Sequence, residues 1–418
     1  MDSVVERLRL GHALAVVVLV IAGLAVASAA PARATGSGSA LAQTEAVARG
    51  DWTQFGFLAS GGRYNPFERV LSPANVAGLG VDWSYHTGNI AFSSPAVVNG
   101  VVYVGSADYI GAPVGKVYAF EARTGKLLWS FATAGNPGFS SPAVANGVVY
   151  IGSEDRQNPD GVFGHLYALH ARTGKVLWSD DAAGPVGTPT VANGVVYVAS
   201  GHDLFAVNAR TGEQLWGFRS GLPGTVAVAD GVVYFGDDFG KTVHALDART
   251  GEELWSYETG AEVDPMPAVL NGVVYIGSAD GNVYALDAAT GAKLWSQKTG
   301  LIVSSVALAY GKVYVSSFSG FSIYALNATT GDVLWSTNMG APFFSSPAIA
   351  NGVLYVGSTD DRVWALDAAT GEKLWSYKTG YFVRAGPTVV NGTLYVGSDN
   401  MYAFRLPRNS DPGSPINR

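Results

Sequence analysis

Any chemistry this chain performs has to come from 33 carboxylates, six histidines and its hydroxyls, because it has no cysteine. That excludes thiolate nucleophiles, disulfides, thiolate-held metals and lipid attachment through a cysteine. The histidines do not cluster. His86 stands at a lysine-type position, His170 in an acid/amide slot and His244 in a tyrosine slot, and none has His-Glu-x-x-His spacing. Four Ser-Ser pairs, Ser93-Ser94, Ser140-Ser141, Ser304-Ser305 and Ser345-Ser346, recur at matching places. A nucleophile needs one copy with a base beside it, so these pairs read as repeat geometry. One oxygen-rich loop, SEDRQNPDGVFGH (153–165), holds Glu154, Asp155, Asp160 and His165. Oxygen ligands of this kind suit Ca²⁺, but the spacing is not that of an EF-hand, and ordinary loop variation accounts for the residues equally. The pairs Asp237-Asp238 and Asp360-Asp361 occupy equivalent turns, for which turn chemistry suffices.

The elements that would position these groups are repeats. ALDAATGAKLWSQKTG (285–300) returns as ALDAATGEKLWSYKTG (365–380), and weaker copies run through the chain. The frame Ala-x-(acid or amide)-x-x-Thr-Gly-x-x-x-Trp ends at Trp129, Trp178, Trp216, Trp255, Trp295, Trp335 and Trp375, with a period near 40. Each period reads as four short strands: PAVL, the turn Asn271-Gly272, VVYIGS, the turn Asp280-Gly281, NVYALD, the Thr290-Gly291 turn, then KLWSQKT. Asn-Gly and Asp-Gly between β-branched and aromatic runs signal hairpins. Four antiparallel strands in about 40 residues make a propeller blade.

First strands begin at eight places, and the eighth copy stops before its Trp strand. VDWSYHTG (81–88) supplies the missing strand, so Trp83 should complete the last blade. The expected fold is all-β: an eight-bladed β-propeller of four-stranded antiparallel blades, the ring closed by an N-terminal strand. The indole of each frame is expected to lie against a glycine turn of a neighbouring blade.

Chain direction puts the links between blades and the second-to-third-strand loops on one face. The residues three before each first strand should ring the channel mouth there: Phe92, Phe139, Val186, Pro223, Asp264, Val303, Phe344 and Arg384. Asp264 and Arg384 break an otherwise apolar pattern. They read as ligand or metal contacts, with Phe92, Phe139 and Phe344 beside them, or else as ordinary surface charges.

The ends are of another kind. Arg7 and Arg9, the apolar run 13–30 and small-residue sites up to Ala34 have the order of a secretory signal peptide (1–34), so the chain is expected to be exported, periplasmic or extracellular. A membrane anchor is the other reading of the same run, and the only expected route to a membrane. Residues 35–50 read as a flexible linker, 51–80 as a lead-in, 81–406 as the propeller and 407–418 as a disordered tail. A net charge of −7 with no basic stripe argues against nucleic acid as a partner.

The repeat resembles the tryptophan-docking repeat of the pyrroloquinoline-quinone (PQQ) propellers, and SSPAVANGVVYIGS (140–153) resembles their inner strand pair. DWTQFGFLASGGRYNP…LSPANVAGLGVDW (51–83) is similar to the segment before the first blade of quinoprotein dehydrogenases. The resemblance implies one of two functions. Large members are periplasmic dehydrogenases holding PQQ and calcium over the centre; others, such as the BamB-type lipoprotein of the outer-membrane assembly machine, bind no quinone. This chain lacks the enzymes' adjacent cysteine pair, their Cys-x-x-Cys-His haem site and their long insertions, and it lacks the lipoprotein's lipidated cysteine. The expectation is a non-catalytic binding or scaffold module, meeting an envelope protein or small ligand on the loop face. The alternative is a small PQQ- and calcium-dependent dehydrogenase of alcohols or sugars. A polysaccharide-binding role rests on Phe92, Phe139, Phe344 and Tyr381.

Overall fold

The computed structural model describes residues 50–87, 92–106, 115–155, 163–182, 184–302 and 304–407. The signal-like run, most of the linker and tail, Val303, Asp160 and the centres of the two long loops lie outside them.

Eight four-stranded antiparallel blades follow one another (blades 1 to 8, beginning at Ala96, Ala143, Thr190, Ala227, Ala268, Ala307, Ala348 and Thr388). Within a blade the short innermost strand turns into the second through two residues of positive φ, as in Asn271 (φ 51°) and Gly272 (φ 74°). Both central positions of a type I′ turn need that region, which explains the Asn-Gly signature. Blade 8 takes three strands from the C-terminal side and its outermost strand, Gly80–Tyr85, from the N-terminal side, with Trp83 opposite Ala403. The ring therefore has no open edge at its seam.

Blades hold one another through the outer-strand indoles. Trp83 Nε1 donates to Ala122 O at 3.0 Å, and a Cβ on Gly125 would come within 2.6 Å of the same ring. The same pairing joins Trp129 to Ala171 and Gly174, Trp178 to Ala209 and Gly212, Trp216 to Ala248 and Gly251, Trp255 to Ala288 and Gly291, Trp295 to Ala328 and Gly331, and Trp335 to Ala368 and Gly371. A second-strand tyrosine donates to the same carbonyl each time, Tyr314 to Ala368 O at 2.9 Å among them. At the seam the pattern breaks. Trp375 reaches Leu79 O instead, and the fully buried Tyr355 hydroxyl has no partner. No Thr-Gly turn follows the third strand of blade 8, Met401–Arg405, so the carbonyl that would take both donors is not presented.

The lead-in winds through the channel inside the ring. Trp52 exchanges both backbone hydrogen bonds with Val97, Val144 N–H donates to Thr53 O, and Val191 pairs with the Gln54 side chain. Val228 and Val269 then donate to Ala59 O and Ser60 O, Tyr64–Asn65 pairs in parallel with Ala348–Ala350, and Asn65 Nδ2 donates to Val389 O. The innermost strands are the inner edges of their sheets, and this segment satisfies backbone groups that would otherwise be left unpaired there. Arg63 anchors it. Its guanidinium is buried, donates to Pro347 O and Pro387 O at 2.9 and 2.8 Å and to Phe55 O, and lies over the rings of Trp52 and Phe55. Burial lowers its pKa to about 9, which leaves it charged at neutral pH.

Candidate functional site

On the face where the links between blades emerge, the top of the lead-in and the inner strands enclose a cavity of about 300 Å³. Phe55 and Met266 line it, together with five predicted mouth residues, Phe92, Phe139, Asp264, Phe344 and Arg384. Two other predicted mouth residues do not line it. Val186 and Pro223 form isolated bridges with Ser200 and Asp237, which tie both to the second strands of blades 3 and 4. Val303 falls outside the described residues.

Arg384 lies between two rings, its guanidinium carbon 5.1 Å from the Phe92 centroid and 4.4 Å from that of Phe344. Its Nε is buried and no protein oxygen accepts from it. It makes no ion pair with Asp264; among the described residues neither has a carboxylate–cation contact. Flanking aromatic faces offset part of the cost of a cation in this position, but they leave its hydrogen-bonding capacity open to a guest.

Asp264 is exposed to the cavity while the blades surround it, and this confinement raises its pKa above the ordinary carboxylate value. Nearby, Asp238 is pushed up to about 7, first by burial and then by the charges of Asp264, Glu262 and Asp237. Asp237 moves the other way. Although burial opposes it, N–H groups of Gly240, Gly221 and Leu222 hold the carboxylate ionised.

Below the mouth lies a second ring that the sequence reading passed over as repeat geometry. It consists of Ser94, Ser141, Thr188, Thr225, Met266, Ser305, Ser346 and Gly386, two residues after each mouth position. Backbone N–H groups pass around it: Ser94 to the Ser141 hydroxyl, Ser141 to Thr188, Met266 to Ser305, Ser305 to Ser346, all at 3.0 Å, and Gly386 to Ser94 at 2.7 Å. Each of these hydroxyls accepts from the protein and, among the described residues, donates to no protein acceptor, so its proton is available to a guest. Met266 and Gly386 break the hydroxyl pattern in the same two blades where Asp264 and Arg384 break the apolar one. Reading both positions side by side would have found the ring. At Gly386 the reason is close approach, since a Cβ would meet Arg63 Nη2 at 2.4 Å. The first serine of each pair is structural; Ser93, Ser140 and Ser345, for example, accept from Gly105, Gly152 and Gly357.

Of the candidate cation ligands, Glu154, Asp155 and His165 fall among the described residues. The strand Val148–Asp155 continues through Glu154 and Asp155, so these consecutive side chains leave opposite faces of the sheet and do not converge. His165 bonds Asp181 at 2.8 Å, and Asp160 lies outside the described residues. Among the described residues no three His, Asp or Glu side chains are grouped to hold a metal ion.

Eight blades around an axial cavity lined by hydroxyls and one guanidinium define the fold as a propeller with a central pocket. A family model described as outer membrane protein assembly factor BamB matches residues 80–162, 113–222, 200–323 and 298–408, and the chain belongs to this PQQ-type propeller family. The 1-butanol dehydrogenase (cytochrome c) of Thauera butanivorans is 36% identical over 93 residues, 22% of this chain and 12% of that protein. The dehydrogenase subunit of the quinone alcohol dehydrogenase of Gluconobacter oxydans is 36% identical over 84 residues, 20% of this chain and 10% of that one. These matches span only a small part of the relatives' length. A europium-containing methanol dehydrogenase superposes with a TM-score of 0.73 at 16% identity, covering 88% of this chain and all of that one. BamB from Moraxella catarrhalis superposes with a TM-score of 0.65 at 20% identity, covering 80% and 99%. At these identities the likeness is one of fold.

Proposed function

We propose that this protein is an exported, non-catalytic binding module whose axial cavity takes a small organic anion bearing hydroxyl or carbonyl oxygens. The observation that carries this is Arg384, held between Phe92 and Phe344 with no carboxylate partner among the described residues, above hydroxyls whose protons meet no acceptor among them. Guanidinium and hydroxyl donors converging on one cavity are the chemistry of anion capture. The apolar N-terminal run and the family's membership support export.

The second reading is a quinone-dependent dehydrogenase, favoured by the names of the relatives and by the position of the cavity on the axis. The cavity's size suits a planar tricyclic quinone, but the donor set does not suit calcium-held PQQ. That cofactor carries three carboxylates and would meet one guanidinium, an acidic neighbour in Asp264, and no grouped metal ligands among the described residues. No catalytic step is therefore derived through it.

One experiment separates the readings. Purified protein is titrated calorimetrically with gluconate and with PQQ plus Ca²⁺, then passed through gel filtration and assayed for dye reduction with alcohols. A saturable anion heat without dye reduction, abolished in Asp264→Ala/Arg384→Ala, is expected. Retained quinone with turnover would establish the enzyme instead, and an unchanged isotherm in the double variant would remove the axial site.

A further inference from the structure

A second cavity lies away from the axis, between blades 2 and 3, and does not depend on the reading above. The repeat explains why it exists. Two residues after each docking tryptophan, the outer strand presents a side chain toward the third strand of the next blade. At five of eight interfaces both partners are rings: Phe131 with Tyr167 at 5.3 Å, Phe218 with His244 at 5.7 Å, Tyr257 with Tyr284 at 5.8 Å, Tyr377 with Tyr402 at 5.9 Å and Tyr85 with Tyr118 at 6.0 Å. At two others Gln297 and Thr337 occupy the position. Between blades 2 and 3 the residue is Asp180, facing Phe205, which has no ring partner among the described residues.

Where the ring is missing there is a space of about 320 Å³. Its base is apolar, formed by Leu166, Val198 and Val207 around Phe205. Three carboxylates line it, Asp180, Asp181 and Asp203, against one guanidinium, Arg219. Arg219 is committed to Asp203 at 3.6 Å, and Asp181 is bonded to His165 at 2.8 Å. Asp180 has no hydrogen-bond or ion-pair partner among the described residues. The walls come from two blades whose strands differ in length. Val148–Asp155 is two residues longer than its counterpart Val195–Ser200, whose hairpin closes at Gly201 and His202 on the border of the space.

We propose that this cleft binds a small aryl-alkyl ammonium ion, with its ring on Phe205 in the place of the missing aromatic and its ammonium on Asp180. An aromatic body recovers the packing that the other interfaces obtain from their own side chains, and the uncommitted carboxylate selects a cation over an anion.

The test is calorimetric titration of the full chain with 2-phenylethylammonium, phenylacetate and ethylammonium. Only the first, which carries both ring and cation, is expected to bind measurably. Asp180→Asn should weaken it about tenfold, as loss of a charge-assisted bond predicts. Asp180→Phe restores the ring of the other interfaces and should abolish binding while keeping the thermal midpoint at or above that of the parent. Equal binding of phenylacetate, binding of none of the three, or a folded Asp180→Phe protein that titrates like the parent would each overturn the proposal.

Discussion

Tyr314 and Tyr355 occupy the same position in blades 6 and 7, and both are fully buried. Their hydroxyls differ in one respect: Tyr314 donates to Ala368 O at 2.9 Å, and Tyr355 has no partner. Replacing each with phenylalanine removes one oxygen and leaves the ring packing in place. For Tyr314 the loss is one net hydrogen bond, about 1 kcal/mol, because Ala368 O keeps Trp335 Nε1 at 3.3 Å as a donor and is not orphaned. For Tyr355 the parent already bears the cost of an unsatisfied buried hydroxyl, so removal should be neutral or stabilise by about 1 kcal/mol. The two variants should therefore differ by about 1–2 kcal/mol, with Tyr355→Phe the more stable. For a ring of this size that separates the thermal midpoints by roughly 1–3 °C. Urea unfolding with equal slopes for both variants is the assay. If Tyr355→Phe loses as much stability as Tyr314→Phe, the seam carbonyl argument is wrong.

Other expectations follow from particular contacts. Gly272→Ala meets nothing within 4 Å and should cost about 1 kcal/mol for its positive φ alone, whereas Gly291→Ala, at a similar φ, places a methyl 2.6 Å from the Trp255 ring and should cost at least about 2 kcal/mol more in the same urea assay. Arg63→Met leaves the carbonyls of Phe55, Pro347 and Pro387 without their donor and should cost about 3 kcal/mol or more, read as faster proteolysis of the lead-in. Asp238 binds its proton more tightly folded (about 7) than unfolded, so the native state holds more protons between about pH 4 and 7 and stability falls as pH rises through that window. Asp238→Asn should flatten this slope and add about 1 kcal/mol at pH 8, the group being partly screened by solvent; a thermal-midpoint series from pH 5 to 8 checks it.

Much of the ring was legible because each blade restates one packing problem. Eight first-strand starts set the number of blades, and the strand at Trp83 identified the seam. Five mouth residues were found by counting back from each first strand, since equivalent positions in a repeat fall at equivalent depths. Counting failed at Val186 and Pro223, where a local bridge draws the backbone aside. The lead-in's path was not legible, because its contacts are largely made by its backbone and carry no pattern in side-chain type. Asp180 escaped notice for a related reason. An aspartate on an exposed outer strand looks ordinary until the ring it replaces is seen at the neighbouring interfaces.

The seam strand also orders events in time. Residues as far apart as Asn65 and Val389, 324 positions, are bonded directly, and the sheet they border joins the two ends of the chain. During synthesis the seam strand Gly80–Tyr85 has no sheet to join until Met401–Arg405 has left the ribosome, and closing so long a loop weighs on the rate of folding. A nascent polypeptide built this way stays unlocked, and therefore threadable, until it is complete. A chain cut short before Met401 would be left with two raw sheet borders and every opportunity to pair with a neighbour instead of with itself.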